Sequence, residues 1–385
     1  MIDRKVYFPE NDIMAQSGTI TDILQNIPSI TLEAEGDILM RGSPNITFLL
    51  NGKPSGLFQQ NSSVVLEQIP AHMIERIEII TNPSAKYKPD GTAGIINIIT
   101  KKNMLPGIHG SIMANASTNQ RYNGNISFNY NPGKVNISAL YGYWQSYNPR
   151  IHTDQRIIGD STTGAITNFD LKSESIGKPK SHTATFGIDY NPDDHNSFGL
   201  SMNYHGSEAR RNDEVATIES NSSGWLRDYS TIRSDTDSES ELELGISAEH
   251  LFPKEDHTIS LEAEYGRINE KENSRFTDIY TVPNYPSYDG RNIIHKKEKA
   301  TILSIDYTNP LSEDFELEAG YEGEYSTGDL DYFVEYFDQA QWRWQTDGLK
   351  TNKFLYQRDI HGFYATLARS FDQLGILVGL RAEQT

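Results

Sequence analysis

The sequence predicts a mainly β protein: a small α/β unit followed by an antiparallel transmembrane β-barrel. Three observations carry this. From His109 onward, apolar and polar residues alternate with period two in segments of about ten residues. Tight turns and long polar connections take turns between those segments. Tyrosines recur where the segments end.

Composition narrows the choice. The chain has 385 residues, no cysteine and a formal net charge of -19. That length fits two domains or one large β architecture. Without cysteine there is neither a disulfide framework nor thiolate chemistry. The acidic balance argues against a nucleic-acid partner, which needs clustered Lys and Arg. No apolar run approaches the roughly 20 residues of a membrane-spanning helix, which leaves barrels open. A mean hydropathy of -0.58 suits a barrel with a polar lumen and large loops. Near Met1, the residues Asp3, Arg4, Lys5, Pro9, Glu10, Asn11 and Asp12 interrupt any signal-peptide core. The expectation is a mature chain, or one with sequence missing upstream.

Residues 1–29 read as a lead-in. A short helix is expected over Thr21 to Ile27, capped near Thr19 or Thr21 and stopped by Pro28. Strands are expected at Ile30–Leu32, Ile38–Met40 and Ile46–Leu50. Ser62 or Ser63 caps a helical turn over Val64–Gln68 before Pro70. Strands follow at Ile77–Thr81 and Ile95–Thr100. The pairs Ile79-Ile80, Ile95-Ile96 and Ile98-Ile99 suit strands buried on both faces. Asn51-Gly52 and Asp90-Gly91 mark tight turns. Gly42, Gly52, Gly91 and Gly94 read as turn or close-packing glycines. Pro106-Gly107 marks the boundary, giving units over residues 1–105 and 106–385.

In the second unit the period is two. Tyr122, Gly124, Ile126, Phe128 and Tyr130 alternate with asparagines and a serine. Comparable apolar rows recur at Val135–Tyr143, Ala184–Tyr190, Phe198–Tyr204, Leu242–Ala248, Ile259–Tyr265, Leu303–Tyr307 and Phe315–Tyr321. Two less regular strands, near Gly362–Ala368 and Gly375–Leu380, bring the total to about eleven. Tight connections lie at Asn131-Pro132-Gly133, at 191–194, 252–256, 309–314 and 371–373. Long polar loops of roughly 30 residues are expected near 147–180, 207–238, 268–298 and 326–358, the asymmetry of an outer-membrane barrel. Tyr130, Tyr190 and Tyr307 adjoin tight turns, whereas Tyr143, Tyr204, Tyr265 and Tyr321 lead to the long loops. Two such bands make a membrane belt. The other face carries Asn123, Asn125, Ser127, Asn129, Asn136, Ser138, Thr183, Thr185, Glu241, Glu243, Glu262, Glu264, Glu316 and Glu318. That face lines a lumen, and residues 1–105 are the plug that fills it.

Residues 3–104 resemble the plug domain of TonB-dependent outer-membrane receptors, nearest the Bacteroidota-type outer-membrane β-barrel group. The motifs are Asp22-Ile23-Leu24-Gln25-Asn26-Ile27-Pro28-Ser29-Ile30, Met40-Arg41-Gly42, Leu49-Leu50-Asn51-Gly52-Lys53-Pro54, Ile69-Pro70 with Ile74-Glu75-Arg76-Ile77-Glu78-Ile79, and Asn82-Pro83-Ser84-Ala85-Lys86-Tyr87. The run from Gly91 to Lys102 completes the set. The resemblance implies energised uptake. A substrate binds from outside, and a TonB-type inner-membrane energy-coupling complex pulls on the plug. Family barrels have 22 strands, so about half of one is expected here. Nothing before Asp3 supplies the family's coupling box, and Thr81-Asn82 stands where many relatives have Arg-Gly.

The resemblance also makes Arg41 and Arg76 candidates for plug–barrel contact through barrel carboxylates. Trp225, Tyr280, Tyr285, Tyr288, Trp342 and Trp344 fall in the expected long loops. They are candidates to stack on an extracellular small-molecule, glycan or peptide substrate. No catalytic residues, cofactors or metal ligands are expected. The ten histidines lack ligand spacing, and Gly91-Thr92-Ala93-Gly94 is no phosphate loop. The carboxylate pairs Glu241/Glu243, Glu262/Glu264 and Glu316/Glu318 suit lumen lining better than acid–base catalysis. The expected partners are therefore the coupling complex, outer-membrane lipid and the substrate, with no nucleic acid. The rival class is a non-transporting surface binding or adhesion protein. A barrel protease or lipase finds no Ser/His/Asp grouping.

Overall fold

The structure is a computed structural model that describes residues 4–9, 18–32, 38–50, 53–54, 66, 69, 71–81, 85–86, 93–101, 107–118, 120–159, 166–312, 314–371 and 374–385. The expected turns at Gly52 and Gly91 and most of the Val64–Gln68 turn lie outside these residues, as does Pro106.

The first unit contains β1 (Arg4–Tyr7), α1 (Ile20–Leu24), β2 (Ile30–Leu32), β3 (Ile38–Met40), β4 (Ile46–Leu50), β5 (Lys53–Pro54), β6 (Ile74–Ile80) and β7 (Gly94–Thr100). One sheet runs β1-β6-β7-β4-β5, and β2 pairs β3 separately. Among the described strands only β4 and β7 pair in parallel. The lead-in reading is corrected, because β1 pairs antiparallel with β6, Arg4 opposite Ile80 and Tyr7 opposite Ile77. The Thr19 backbone N–H donates to Asp22 Oδ2 at 2.8 Å and starts α1. The helix ends before Ile27 because Asn26 and Ile27 bond back to Ile23 and Leu24, a tightening to i−3.

Apolar periodicity puts the core where the isoleucine pairs require it. Ile20, Ile23 and Leu24 of α1 pack on Ile74, Ile77 and Ile79 of β6 and Ile96 and Ile98 of β7. These isoleucines fill one face of the two central strands, and Ile80 and Ile95 pack with Leu49 on the other. Arg41 and Gly42, at φ 54° and 80°, form the two-residue turn between Met40 and Ser43. Two successive positive φ angles match the twist of flanking strands.

The second unit is a fourteen-stranded antiparallel sheet. Its strands are β8 (Gly107–Ala116), β9 (Tyr122–Asn131), β10 (Val135–Gln145), β11 (Asn148–Gly159), β12 (Ile166–Gly177), β13 (Lys180–Tyr190), β14 (Asn196–Asn221), β15 (Gly224–Leu251), β16 (Thr258–Val282), β17 (Tyr288–Ser312), β18 (Phe315–Asp338), β19 (Arg343–Thr346), β20 (Asn352–Phe371) and β21 (Leu374–Gln384). Eleven form a continuous wall from β8 to β21, and β11, β12 and β19 pair beside it. The sheet does not close among the described residues.

The expected long loops are corrected. Residues 207–238 and 268–298 lie mostly within β14 to β17, and β14 and β15 alone reach 26 and 28 residues. The pairing of β14 with β15 persists from Asn196 opposite His250 to Asn221 opposite Gly224. Thr, Ser, Val and Ile recur in these extensions, so β propensity persists after the lipid-facing apolar row stops. β11 and β12 form a side hairpin whose second strand pairs with the distal half of β14.

Register fixes which residues share a face, because directly opposite residues point the same way. Ile126, Tyr141, Ala184, Tyr204, Leu242 and Arg267 follow one another across six strands. On the lipid-type face Ile112 is 81% and Leu261 48% exposed, whereas on the other face Asn129 is 6%, Glu241 4% and Thr183 0% exposed. The polar row is buried and the apolar row is open. That inversion is the barrel arrangement, since a water-soluble sheet buries the opposite set.

Candidate functional site: the seat of the first unit on the polar wall

Within the motif Asn82 to Tyr87, the described residues Ala85 and Lys86 meet the wall. Lys86 Nζ lies 3.2 Å from Asp306 Oδ2 on β17. Tyr364 on β20 donates its hydroxyl to the other oxygen of Asp306. Arg381 on β21 donates from Nη1 to the Lys86 carbonyl at 2.9 Å. Glu322 on β18 at 3.3 Å and Glu383 at 2.7 Å hold the same guanidinium. Every wall partner stands on the polar face by register. Gly379 completes the seat, because a Cβ there would stand 2.7 Å from Ala85 Cβ. Only hydrogen at that position lets the two backbones approach.

Few of these contacts are fully buried. Lys86 is 36% and Asp306 19% exposed, so their ion pair is screened and adds at most about 1 kcal/mol. Arg381, at 7% exposed, is the buried exception, and its two carboxylates and one carbonyl satisfy it. The seat fixes position through several polar contacts and one close steric fit.

The arginines expected to pair with the wall are placed elsewhere. Arg41 is exposed on its turn and pairs with no carboxylate among the described residues. Arg76 pairs within its own strand, with Glu75 and with Glu78 at 2.8 Å. Glu78 is buried and accepts a 3.0 Å hydrogen bond from Asn97 on β7. Arg76 thus neutralises a buried core carboxylate. Gly42 serves the Arg41 turn, and Gly94, at φ 154°, is pressed by Met40 and the Ile80 carbonyl. The residues reaching the wall, Ala85 and Lys86, lay inside a quoted motif but carried no signal of their own.

The six aromatic candidates divide between the two faces. The expected loop placement is corrected for four: Trp225, Tyr280, Tyr288 and Trp344 are on strands. Tyr280 packs on Tyr229 at 5.5 Å and on Tyr285 at 5.9 Å, and Tyr288 packs on Phe276 at 6.0 Å. Tyr229, Tyr280, Phe276 and Tyr288 share the polar-face parity near the distal strand ends. Tyr229 and Phe276 join this group only through register, which sequence reading lacks. Trp342 and Trp344 contact Phe337 on the opposite face, and Trp225 stands 59% exposed near the β14–β15 tip. Below the tyrosines, Asp235 is held by Arg211 at 2.5 Å and Arg233 at 2.8 Å. Burial pushes its carboxyl up, but hydrogen bonds from Ser274, Arg233 and Arg211 outweigh this and hold it below the usual range. Among the described residues no group of three His, Asp or Glu side chains is arranged to hold a metal ion.

The sequence matches the family described as TonB-dependent Receptor Plug Domain over residues 5–95. It matches the Outer membrane protein beta-barrel family over residues 250–385. Among solved structures, the chain is similar to the ferric-catecholate import receptor Fiu from E. coli K12 in its closed form, at 11% identity and a TM-score of 0.52. That likeness covers 98% of this chain and 65% of the other, and it speaks for the fold. The ferric yersiniabactin uptake receptor FyuA from Yersinia pestis also matches, at 11% identity and a TM-score of 0.46, over 95% of this chain and 64% of its own. The chain therefore spans a little under two thirds of the length of these receptors. With a plug-type sheet seated on the polar side of an inverted β wall, and with family matches over residues 5–95 and 250–385, the chain carries a TonB-dependent receptor plug domain followed by part of a barrel of the outer-membrane protein β-barrel family.

Proposed function

We propose that the protein imports an extracellular ligand across the outer membrane. A TonB-type inner-membrane complex supplies the energy by drawing on residues 1–105, the plug, while residues 106–385 contribute barrel wall. The seat at Ala85–Lys86 supports this reading most directly. Its Lys86–Asp306 ion pair is partly exposed and screened, which suits a contact released and remade. Gly379 sets how closely the plug lies.

The inward side chains Tyr280, Tyr288, Tyr229 and Phe276, with Tyr285 packed on Tyr280, offer stacking surfaces near the extracellular end. Such surfaces suit a ring-bearing small molecule; glycan and peptide ligands with rings remain within the same chemistry. Fiu is named for ferric-catecholate import, so a ferric catecholate is the first ligand to try. Trp225, Trp342 and Trp344 are the outer contacts of this proposal.

The test is uptake by cells carrying the full-length protein, with and without a protonophore. Ligand accumulation that collapses with the proton-motive force is the expected result. Surface retention that persists unchanged, with no accumulation, favours the rival binding or adhesion role. The long hairpins, which continue well past the apolar row, give that rival its footing.

A further inference from the structure

The inward face of β15 and β16 carries directly opposed carboxylates. Asp237 stands opposite Glu272, and Glu239 opposite Glu270. Such pairs destabilise a sheet unless a cation joins them. The strands on either side give the upper pair none: on β14 the facing residue is Ala209, and on β17 it is Ile294. Arg211 and Arg233 hold Asp235 instead. Lys296 lies 3.9 Å from Glu270 of the lower pair but nearer Glu298, at 3.1 Å. Asp237 and Glu272 have neither an ion pair nor a hydrogen bond among the described residues, and Asp237 Oδ1 is sealed from water without a partner. Burial, and then neighbouring carboxylates, push both carboxyls above the usual range, and the pull of Arg233 does not offset this.

Lower on the same face is a second, independent irregularity. Glu241, the next inward residue of β15 after Glu239, is 4% exposed and has no hydrogen bond or ion pair among the described residues. His205 stands directly opposite it on β14 and is 1% exposed. Its Nδ1 meets Thr183 Oγ1 at 3.1 Å, whereas Nε2 is buried with no partner. A buried carboxylate and a buried ring nitrogen are costly to leave unmatched. Elsewhere on this face carboxylates are matched: Arg358 meets Glu324 at 2.7 Å, and Arg381 meets Glu322 at 3.3 Å. Glu241 and His205 Nε2 can both accept hydrogen bonds, and the described side chains offer neither of them a donor.

Height and spacing indicate the missing partner. With strands rising about 3.3 Å per residue at a tilt near 40°, Glu241, Glu239 and Asp237 stand about 8, 13 and 18 Å above the belt tyrosine Tyr265. The column therefore faces the lumen on the extracellular side. Inward residues repeat about every 6.6 Å along a strand, an interval close to that of ammonium groups joined by short methylene chains. Among the described residues no three acidic or histidine side chains converge on one metal ion. We propose that this face binds a linear polyamine, whose ammonium groups donate to successive carboxylates and, at the deep end, to Glu241 and His205. The inference rests on the import reading above and names its ligand class. Higher on the same face Tyr229, Tyr280, Phe276 and Tyr288 present rings, which attract ammonium groups as well as other rings. An anionic complex such as a ferric catecholate meets repulsion at the column, which sets the polyamine ahead of it.

The test is calorimetric titration of the full-length protein in detergent, with spermine as the probe. Saturable binding is expected, and D237N/E272Q is expected to weaken it about ten-fold through lost charge-assisted hydrogen bonds. Propylamine, with a single ammonium group, is expected to bind at least about ten-fold more weakly than spermine. Melting gives a second readout. Without spermine the double variant matches or exceeds the wild-type Tm, because the opposed charges are gone, and spermine raises the wild-type Tm more than the variant's. Should the double variant not fold, E241Q alone is expected to weaken spermine about ten-fold. No spermine binding, unchanged affinity in the variants, equal binding of propylamine, displacement by equimolar calcium, or a lower variant Tm without spermine would each overturn the proposal. Binding in detergent needs no energy source, so the two readings fail separately. Spermine that binds as expected but is not accumulated by energised cells supports this site and counts against import.

Discussion

The two sheets use similar residues in opposite senses. In the plug, isoleucines of β6 and β7 point into a sealed core, and Ile77, Ile80, Ile96 and Ile98 are fully buried. In the wall, Ile126, Phe128, Leu200 and Leu261 point outward, and the buried row is Asn, Thr and Glu. One sheet is stabilised by its own side chains and the other by an apolar solvent. The same substitution should therefore have different consequences in each.

Four changes break or sharpen that contrast. Ile77→Ala should cost the plug about 2–5 kcal/mol, since a buried isoleucine leaves a cavity. Urea unfolding followed by proteolysis of residues 1–105 measures it, and a cost below 1 kcal/mol would mean the plug core is loose. Leu261→Arg should cost about 2–4 kcal/mol in a bilayer, although an exposed leucine on a water-facing surface tolerates arginine with little change. Folding into vesicles against urea gives the number. Gly379→Val should force Ala85 away and cost about 1–3 kcal/mol of plug seating, read as faster plug proteolysis with the wall intact. Lys86→Gln should cost less than about 1 kcal/mol, and the loss should vanish in high salt.

How much of this was legible follows from which signals are local. β2, β3 and β4 fall where Ile30–Leu32, Ile38–Met40 and Ile46–Leu50 were expected, because short apolar runs and turns define them. β1 was missed, since a four-residue edge strand is made by pairing with β6, which lies far along the chain. The wall path has the expected eleven strands because lipid imposes a period of two. Beyond the bilayer that constraint ends, so β14 to β18 continued through what read as loops. The site was less legible. Arg76 looked like a wall contact but neutralises Glu78, and Lys86 looked unremarkable but meets Asp306. Charge partners depend on register between distant strands, and register is not written in any one segment.

The central claim is that lipid covers the apolar side of the wall. The chain has no cysteine, so single labels can be placed without background. Nitroxides on L261C and E262C of the full-length protein in bilayers, probed with oxygen and a water-soluble nickel chelate, test it at adjacent residues. High oxygen and low nickel collision at 261, with the opposite at 262, is the predicted result. Nickel reaching 261 as readily as 262 would contradict it.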